Sequence, residues 1–158
     1  MNKVFCRIFQ GGMKVGMYLL PWHIPELIEG EGASEQIAGD IRKKCLDKVM
    51  IVTGPNMVRR GLMTPMLNRM EAEGVSYEIF DRLTADPTDK QVEEGVKLYM
   101  SSGAQGLVLF GGGSPMDCGK AVAACVARPG KQVAQLQGVL KVGHRNRIPQ
   151  MWAVPTTS

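Results

Sequence analysis

The residues best suited to chemistry form the stretch GGGSPM at 111–116, which directly follows the apolar run GLVLF at 106–110. Glycine at the end of a strand either eases a tight turn or lets main-chain amides come close to a ligand, most often a phosphate. A glycine-rich turn between a strand and a helix also occurs for purely steric reasons. On these residues alone, both explanations stay open.

A helix is predicted to begin at this turn. Ser114 is a suitable N-cap, Pro115 suits the first helical position, and Asp117 would place an acid in the first turn. Free amides and the helix dipole suit this place to a pyrophosphate. The spacing matches neither GxGxxG nor the P-loop pattern GxxxxGK[ST], and Lys120 lies too deep in the helix to be a P-loop lysine. The absence of that lysine also disfavours an ATP-binding kinase-like fold.

Residues that bind metals or act as nucleophiles are few. The four cysteines show no CxxC spacing: Cys6, Cys45, Cys118 and Cys125. The two histidines, His23 and His144, lie far apart in the sequence. We therefore expect buried thiols in a reducing compartment, and no zinc or iron site complete within the chain.

Charge and hydropathy exclude two classes of partner. The net charge is +4, but basic residues are interspersed with acids, as in DIRKKCLDK at 40–48, which is not the basic face of a nucleic-acid-binding protein. Arg7, Gln10 and Lys14 interrupt the apolar residues near the N-terminus, and no run approaches the ~20 residues that span a membrane. We expect a cytoplasmic protein that binds neither nucleic acid nor membrane.

Short apolar runs bounded by turn residues predict buried strands. They are KVMIVTG at 48–54, VSYEIF at 75–80, GLVLF at 106–110 and QMWAVPTTS at 150–158, with a further strand possible in HIPELIEG at 23–30. Segments with helical spacing lie between them. The first is 34–45, which Ser34 would cap, and the second is 57–74, which Pro65 would kink or restart and Gly74 would stop. The third is 86–104, where Thr88 and Gln91 have the spacing of a capping box, and the fourth begins at Ser114. Residues 128–149 predict a loop with a short helix.

This alternation predicts an α/β fold with a parallel sheet and helices on both faces. Ligands of such sheets collect outside the carboxyl ends of the strands, where the glycine stretch at 111–113 would lie. The position of these glycines favours phosphate binding.

The order and spacing of several motifs resemble the iron-containing (group III) alcohol dehydrogenases in their N-terminal half. The motifs are KVMIVTG at 48–54, ADPTDKQVEEGVKLY at 85–99, GLVLFGGGSPMDCGKA at 106–121 and VPTTS at 154–158. The resemblance extends from about residue 18 to the end of the chain. It implies the Rossmann-like N-terminal domain of the dehydroquinate synthase-like fold.

The resemblance also implies a binding site for the cofactor NAD or NADP. In the family, the Gly-Gly-Gly-Ser segment receives the pyrophosphate, and a Thr-Thr pair at the end of a later strand contacts the cofactor. These residues correspond here to Gly112, Gly113, Ser114, Pro115 and Met116, and to Thr156 and Thr157. Two threonines that merely complete a strand are the alternative for the second segment.

Two residues depart from the family pattern. Many members that use NAD have an acid after the first strand, whereas this chain has Gly54, which removes the repulsion of a 2′-phosphate and slightly favours NADP. Arg59 and Arg60 are candidates to bind that phosphate, although solvated helix charges are the simpler explanation. Asp86 replaces a common Asn and would place a carboxylate near the cofactor.

A further implication concerns the reaction. The family interconverts alcohols and aldehydes or ketones by hydride transfer, with a divalent iron or zinc ion held by a C-terminal helical domain that has no counterpart in residues 1–158. We therefore expect a partial form that supplies the dinucleotide-binding domain, is inactive alone and forms homo-oligomers. The alternative is a non-catalytic, truncated domain that acts as an oligomerising or interaction protein.

Overall fold

The computed structural model describes residues 25–136, 141–142 and 148–156, together with Arg7. The strands in this part are β1 (Lys48–Thr53), β2 (Ser76–Phe80), β3 (Gly106–Gly111) and β4 (Gln150–Pro155). The α-helices are α1 (Ala33–Lys43), α2 (Pro55–Arg59), α3 (Thr64–Ala72), α4 (Asp89–Ser102) and α5 (Gly113–Ala127), and a 3₁₀ helix follows at Val133–Leu136.

The four strands form one parallel sheet in the order β2-β1-β3-β4. The two central strands are buried almost along their whole length, as their continuous apolar sequences predict. Both faces of the sheet are covered by helices, so the predicted α/β class with a parallel sheet is confirmed.

Alternate residues of the central strands point into two separate cores. One core joins α4 and α5 to one face of the sheet through Met50, Val52, Leu107 and Leu109. The other core joins α1 and α3 to the opposite face through Val49, Ile51, Val108 and Phe110. The helix that follows each strand packs into one of these two cores, so the chain turns toward one face or the other where a strand ends.

Three of the local signals for helix ends are confirmed: Pro65, Gly74 and the capping box of α4. Pro65 restarts the helix, so that the segment predicted at 57–74 contains the end of α2 and all of α3, and Gly74 has the positive φ of 71° typical of a helix stop. The capping box of α4 is present: Gln91 N donates to Thr88 Oγ1 over 3.3 Å, and Thr88 N donates to Gln91 Oε1 over 3.0 Å.

Two predictions upstream of β1 are wrong. Residues 25–29 form no strand: Pro25 lacks an amide proton for sheet pairing, and Leu27 is 77% exposed and does not pack against the sheet. Ser34 does not cap α1. Gly32, with φ 72°, is the N-cap, and no side chain bonds to the helix start.

The last predicted strand is present but shorter. β4 ends at Pro155, Thr156 follows it outside the strand, and Thr157 and Ser158 lie outside the described residues. No helix in the described ranges combines the length and apolar character needed to cross a lipid bilayer.

A buried indole connects the first described helix to the last strand. Trp152 Nε1 of β4 donates to Asp40 Oδ2 of α1 over 2.7 Å, and Lys44 Nζ donates to the same oxygen over 2.9 Å. Partial burial alone would raise the pKa of Asp40, but the hydrogen bonds from Lys44 and Trp152 and the nearby lysine charges lower it below its ordinary value. The carboxylate therefore stabilises the folded chain while it is ionised.

Gly119 lets α5 approach β3 closely. A Cβ atom at this position would lie 2.1 Å from Leu109 Cδ2, well inside contact distance, and both residues are buried. Gly39 in α1 offers a contrast, because a Cβ there would meet nothing within 4 Å.

We predict that Gly119→Ala destabilises the protein by about 1–3 kcal/mol, because the new methyl overpacks the core. Gly39→Ala is the matched control and should be neutral or stabilising by about 0.5–1 kcal/mol, since alanine favours a helix interior. Urea denaturation measures both changes. Equal effects of the two substitutions would contradict the packing argument.

A second prediction concerns acid. Because the pKa of Asp40 is lowered on folding, its contribution to stability is complete above the unfolded value of 3.8 and is lost as the pH falls below it. Asp40→Asn should therefore be less stable than wild type near neutral pH, with a difference that shrinks below about pH 4. Denaturation curves across this range, followed by tryptophan fluorescence, test the prediction. A difference independent of pH would refute it.

Candidate functional site

Three neighbouring strands end in one row at the carboxyl edge of the sheet. Thr53 of β1 lies beside Phe110 of β3, and Gly111 of β3 lies beside Pro155 of β4. The chain leaves β1 toward the face covered by α1 and α3, whereas it leaves β3 into α5 on the opposite face. This divergence creates a crevice between the ends of β1 and β3, which is where open α/β sheets bind ligands.

Gly111 has a structural role at this edge. Its φ of +138° is unfavourable for a side chain, and a Cβ atom would lie 2.9 Å from Pro115 Cγ. Its carbonyl accepts a hydrogen bond from Thr156 N over 3.0 Å, which joins the ends of β3 and β4. The first glycine of the stretch therefore serves the sharp turn itself.

The start of α5 differs from the prediction. The N-cap is Gly112 and the helix begins at Gly113, so Pro115 is its third residue and Asp117 lies beyond the first turn. Ser114 is not the cap, because its hydroxyl donates to the main-chain oxygen of Ala85, in the loop that follows β2. The helix consequently begins without any side-chain cap.

The uncapped start leaves main-chain donors free. Within an α-helix the first amides have no acceptor of their own, and the first bond here runs from Met116 N to Gly112 O over 3.4 Å. Gly113 is exposed, and a Cβ on it would meet none of the described residues within 4 Å. The amides of Gly113 and Ser114 lie in the first turn, at the positive end of the helix dipole, and no side chain caps this turn, an arrangement that suits an anion.

The neighbouring helix α4 is built in the opposite way. Its own Thr88 accepts a hydrogen bond from the third amide of its first turn, that of Gln91, and Gln91 Nε2 also donates to the oxygen of Arg82 over 2.8 Å. Thr84 Oγ1 donates to the oxygen of Asp86 over 2.9 Å. These bonds hold the loop at 81–88 in place, and Ser114 fastens it to α5, which leaves Asp86 exposed near the carboxyl edge.

At the end of β1, Gly54 is the N-cap of α2. A Cβ atom on Gly54 would meet nothing within 4 Å, so the position faces open space. Two residues further on, Asn56 Oδ1 accepts a hydrogen bond from Arg59 Nη2. Sequence reasoning named Arg59 but missed Asn56, although their spacing of three residues within a helix was the available signal.

The other predicted site residues are placed as follows. Met116 is half-buried in the first turns of α5, Thr156 is exposed beside Gly111, and Thr157 lies outside the described residues. Thr53, which sequence reasoning did not single out, is fully buried, and its Oγ1 has no hydrogen-bond partner within the described ranges. The sequence signal for Thr53 is its position as a polar residue at the end of an apolar strand.

Comparisons with known proteins agree with this architecture. A profile of the family described as iron-containing alcohol dehydrogenase matches residues 25–158. The chain belongs to this family. The lactaldehyde reductase of Escherichia coli (strain K12) is 32% identical over 130 residues, which cover 82% of this chain and 34% of that protein. The resemblance noted in the sequence is therefore confirmed.

Two further relatives show how far the family likeness extends. The NAD-dependent methanol dehydrogenase of Bacillus methanolicus is 31% identical over 134 residues, covering 85% of this chain and 34% of the relative. The crystal structure of 1,3-propanediol oxidoreductase has the same fold, with a TM-score of 0.78 and 24% identity over 88% of this chain and 36% of that structure. The chain spans about a third of the length of these curated relatives.

The family is defined by iron, but the described residues supply no evident ligands for it. Nowhere in the ranges that the structure describes do three histidine, cysteine or acidic side chains cluster closely enough to hold a metal ion. Burial raises the pKa of Cys118 to about 11 and also raises that of Cys125, so these thiols stay protonated at neutral pH. They act as small apolar core residues.

Two described cavities lie away from the carboxyl edge. One, of about 480 Å³, lies at the amino edge of the sheet and includes Lys44, Gln105 and Gln150. The other, of about 630 Å³, lies between α1 and α3 and includes Glu35 and Arg69. The candidate site is instead the open crevice at the ends of β1 and β3, where the free amides are.

The two glycines of the turn are predicted to respond differently to alanine. Gly111→Ala should cost about 1–3 kcal/mol of stability, because the positive φ and Pro115 both oppose a methyl group. Gly113→Ala should stay within about 0.5 kcal/mol of wild type, since its Cβ enters open space. Chemical denaturation of both variants makes the comparison, and equal losses would show that the structural role is not confined to Gly111.

Proposed function

We propose that this chain binds NAD or NADP across the ends of β1 and β3 and forms the cofactor-binding part of an alcohol dehydrogenase. The observation that carries the proposal is the start of α5, where the N-cap is Gly112, no side chain caps the first turn, and Gly113 is exposed. Membership of the iron-containing alcohol dehydrogenase family supports a dinucleotide as the anion. A relative named as an NAD-dependent methanol dehydrogenase supports the same cofactor class.

In this proposal, the pyrophosphate accepts hydrogen bonds from the amides of Gly113 and Ser114. Gly112 and Gly113 have no side chains, so the phosphates can approach the main chain, and the dipole of α5 stabilises their charge. Pro115 has no amide proton and fixes the first turn, while Met116 lines it. When bound, the nicotinamide would exchange a hydride with the carbon of a small alcohol, aldehyde or ketone.

The end of β4 would bind another part of the dinucleotide. Thr156 N is already bonded to Gly111 O over 3.0 Å, which fixes Thr156 beside the glycine turn. A hydroxyl at this place can donate to or accept from a bound cofactor. We propose this role for Thr156 and, from the sequence, for Thr157.

The end of β1 would meet the adenosine ribose. Gly54 lies across the crevice from the glycine turn, and open space surrounds its Cβ position. An acidic side chain there would accept a hydrogen bond from a 2′-hydroxyl and repel a 2′-phosphate. Because glycine does neither, the site accommodates both cofactors, with a slight preference for NADP.

We assign no metal ligand within the described residues. The chain's own contribution is to bind the dinucleotide and to orient it along the carboxyl edge. Asp86 lies on the loop fastened by Ser114, near the same edge, and its carboxylate is best accommodated by pointing away from the phosphates.

The first test is a calorimetric titration of the complete chain with NADH and with NADPH, with tryptophan fluorescence followed in parallel. Saturable binding of either cofactor supports the proposal. No binding of either at millimolar concentration would overturn it. Concentration-dependent association in sedimentation experiments without nucleotide affinity would then favour the oligomerising interaction protein.

We predict that Gly113→Leu weakens dinucleotide binding by about tenfold or more, because the side chain enters the space that the pyrophosphate needs. Gly39→Leu is the matched control, since it places the same side chain in open space on α1 and should leave affinity unchanged. Calorimetry gives the affinities, and far-UV circular dichroism confirms that both variants fold. Unchanged affinity in Gly113→Leu would remove the glycine turn from the site.

A further inference from the structure

Two adjacent arginines follow Gly54, and the structure distinguishes between them. α2 begins at Gly54 and ends at Arg59, and Arg60 is its C-cap. Successive residues of a helix are about 100° apart around its axis, so the two side chains leave the helix in different directions. The two arginines therefore have different surroundings, and of the two only Arg59 has a side-chain hydrogen bond among the described residues.

Arg59 is the one held near Gly54. Its Nη2 donates to Asn56 Oδ1, and Asn56 lies in the first turn of α2, two residues after Gly54. Helical side chains lean toward the helix N-terminus, which here is the carboxyl edge of the sheet. The hydrogen bond to Asn56 thus holds the guanidinium against the first turn of the helix that Gly54 starts.

The charge of Arg59 is not neutralised locally. No aspartate or glutamate occurs between Asp47 and Glu71 in the sequence, and the described residues form no ion pair with Arg59. Its guanidinium donates a hydrogen bond to the neutral side-chain oxygen of Asn56. The group therefore keeps donors for an incoming anion and retains its full charge, and its exposure leaves it accessible.

We propose that Arg59, positioned by Asn56, binds the 2′-phosphate of NADP and selects NADP over NAD. The inference rests on the proposed function, because it concerns the ribose end of the same dinucleotide. A guanidinium binds phosphate through paired, charge-assisted hydrogen bonds, and Gly54 leaves the room that the phosphate requires. NAD has no group at this position for Arg59 to bind.

The test compares Arg59→Gln with Arg60→Gln in the complete chain, by calorimetric titration with NADPH and with NADH. Wild type should bind NADPH more tightly than NADH. Arg59→Gln should weaken NADPH binding by about tenfold and change NADH binding by less than about twofold. Arg60→Gln removes the same charge one residue away and should change both affinities by less than about twofold.

Asn56→Ala separates positioning from charge. It keeps the guanidinium but removes its acceptor, so NADPH affinity should fall by less than in Arg59→Gln, while NADH affinity stays constant. The fragment 2′,5′-ADP should compete with NADPH in wild type and lose this ability in Arg59→Gln. These variants lie on an exposed turn, and their thermal unfolding checks that they fold.

Several outcomes would overturn the inference and leave the proposed function standing. They are tighter binding of NADH than NADPH by wild type, equal losses for both cofactors in Arg59→Gln, and equal losses of NADPH affinity in the two arginine variants. Failure of wild type to bind either dinucleotide would overturn the proposed function and this inference together. The two kinds of failure are therefore distinguishable.

Discussion

The close packing of α5 on β3 is the constraint on which the site depends. Gly119 brings the helix against Leu109, and Gly111 turns the chain sharply enough for α5 to begin directly above the strand end. The free amides of Gly113 and Ser114 consequently lie at the carboxyl edge of the sheet. A larger residue at either of the two packing glycines would push the helix away and move these donors with it.

The site also depends on a difference between two helices that begin at the same edge. α4 has a capping box formed by its own Thr88 and Gln91, whereas α5 has a glycine N-cap and no side-chain cap. Ser114, the residue that could have capped α5, bonds instead to the loop after β2. The chain thus stabilises the surroundings of the crevice and leaves unsatisfied the donors that would bind an anion.

Sequence reasoning predicted most of the fold because the strongest signals were local. The apolar strands, Pro65, and the pair of Thr88 and Gln91 each specify their structure within a few residues. It failed where a distant partner decided the outcome: Ser114 bonds to Ala85, 29 residues away. The pairing of Arg59 with Asn56 was missed for a different reason, because its signal is only a spacing of three residues within one helical turn.

The edge position of β4 has a consequence for the order of folding. β2, β1 and β3 are contiguous in space and come from residues 48–111, so they can assemble before β4 has been synthesised. β4 then joins through contacts of high sequence separation, among them the hydrogen bond between Trp152 and Asp40, 112 residues apart. Because β4 lies at the edge of the sheet and pairs only with β3, its addition is expected to be a late event that completes the threonine side of the crevice.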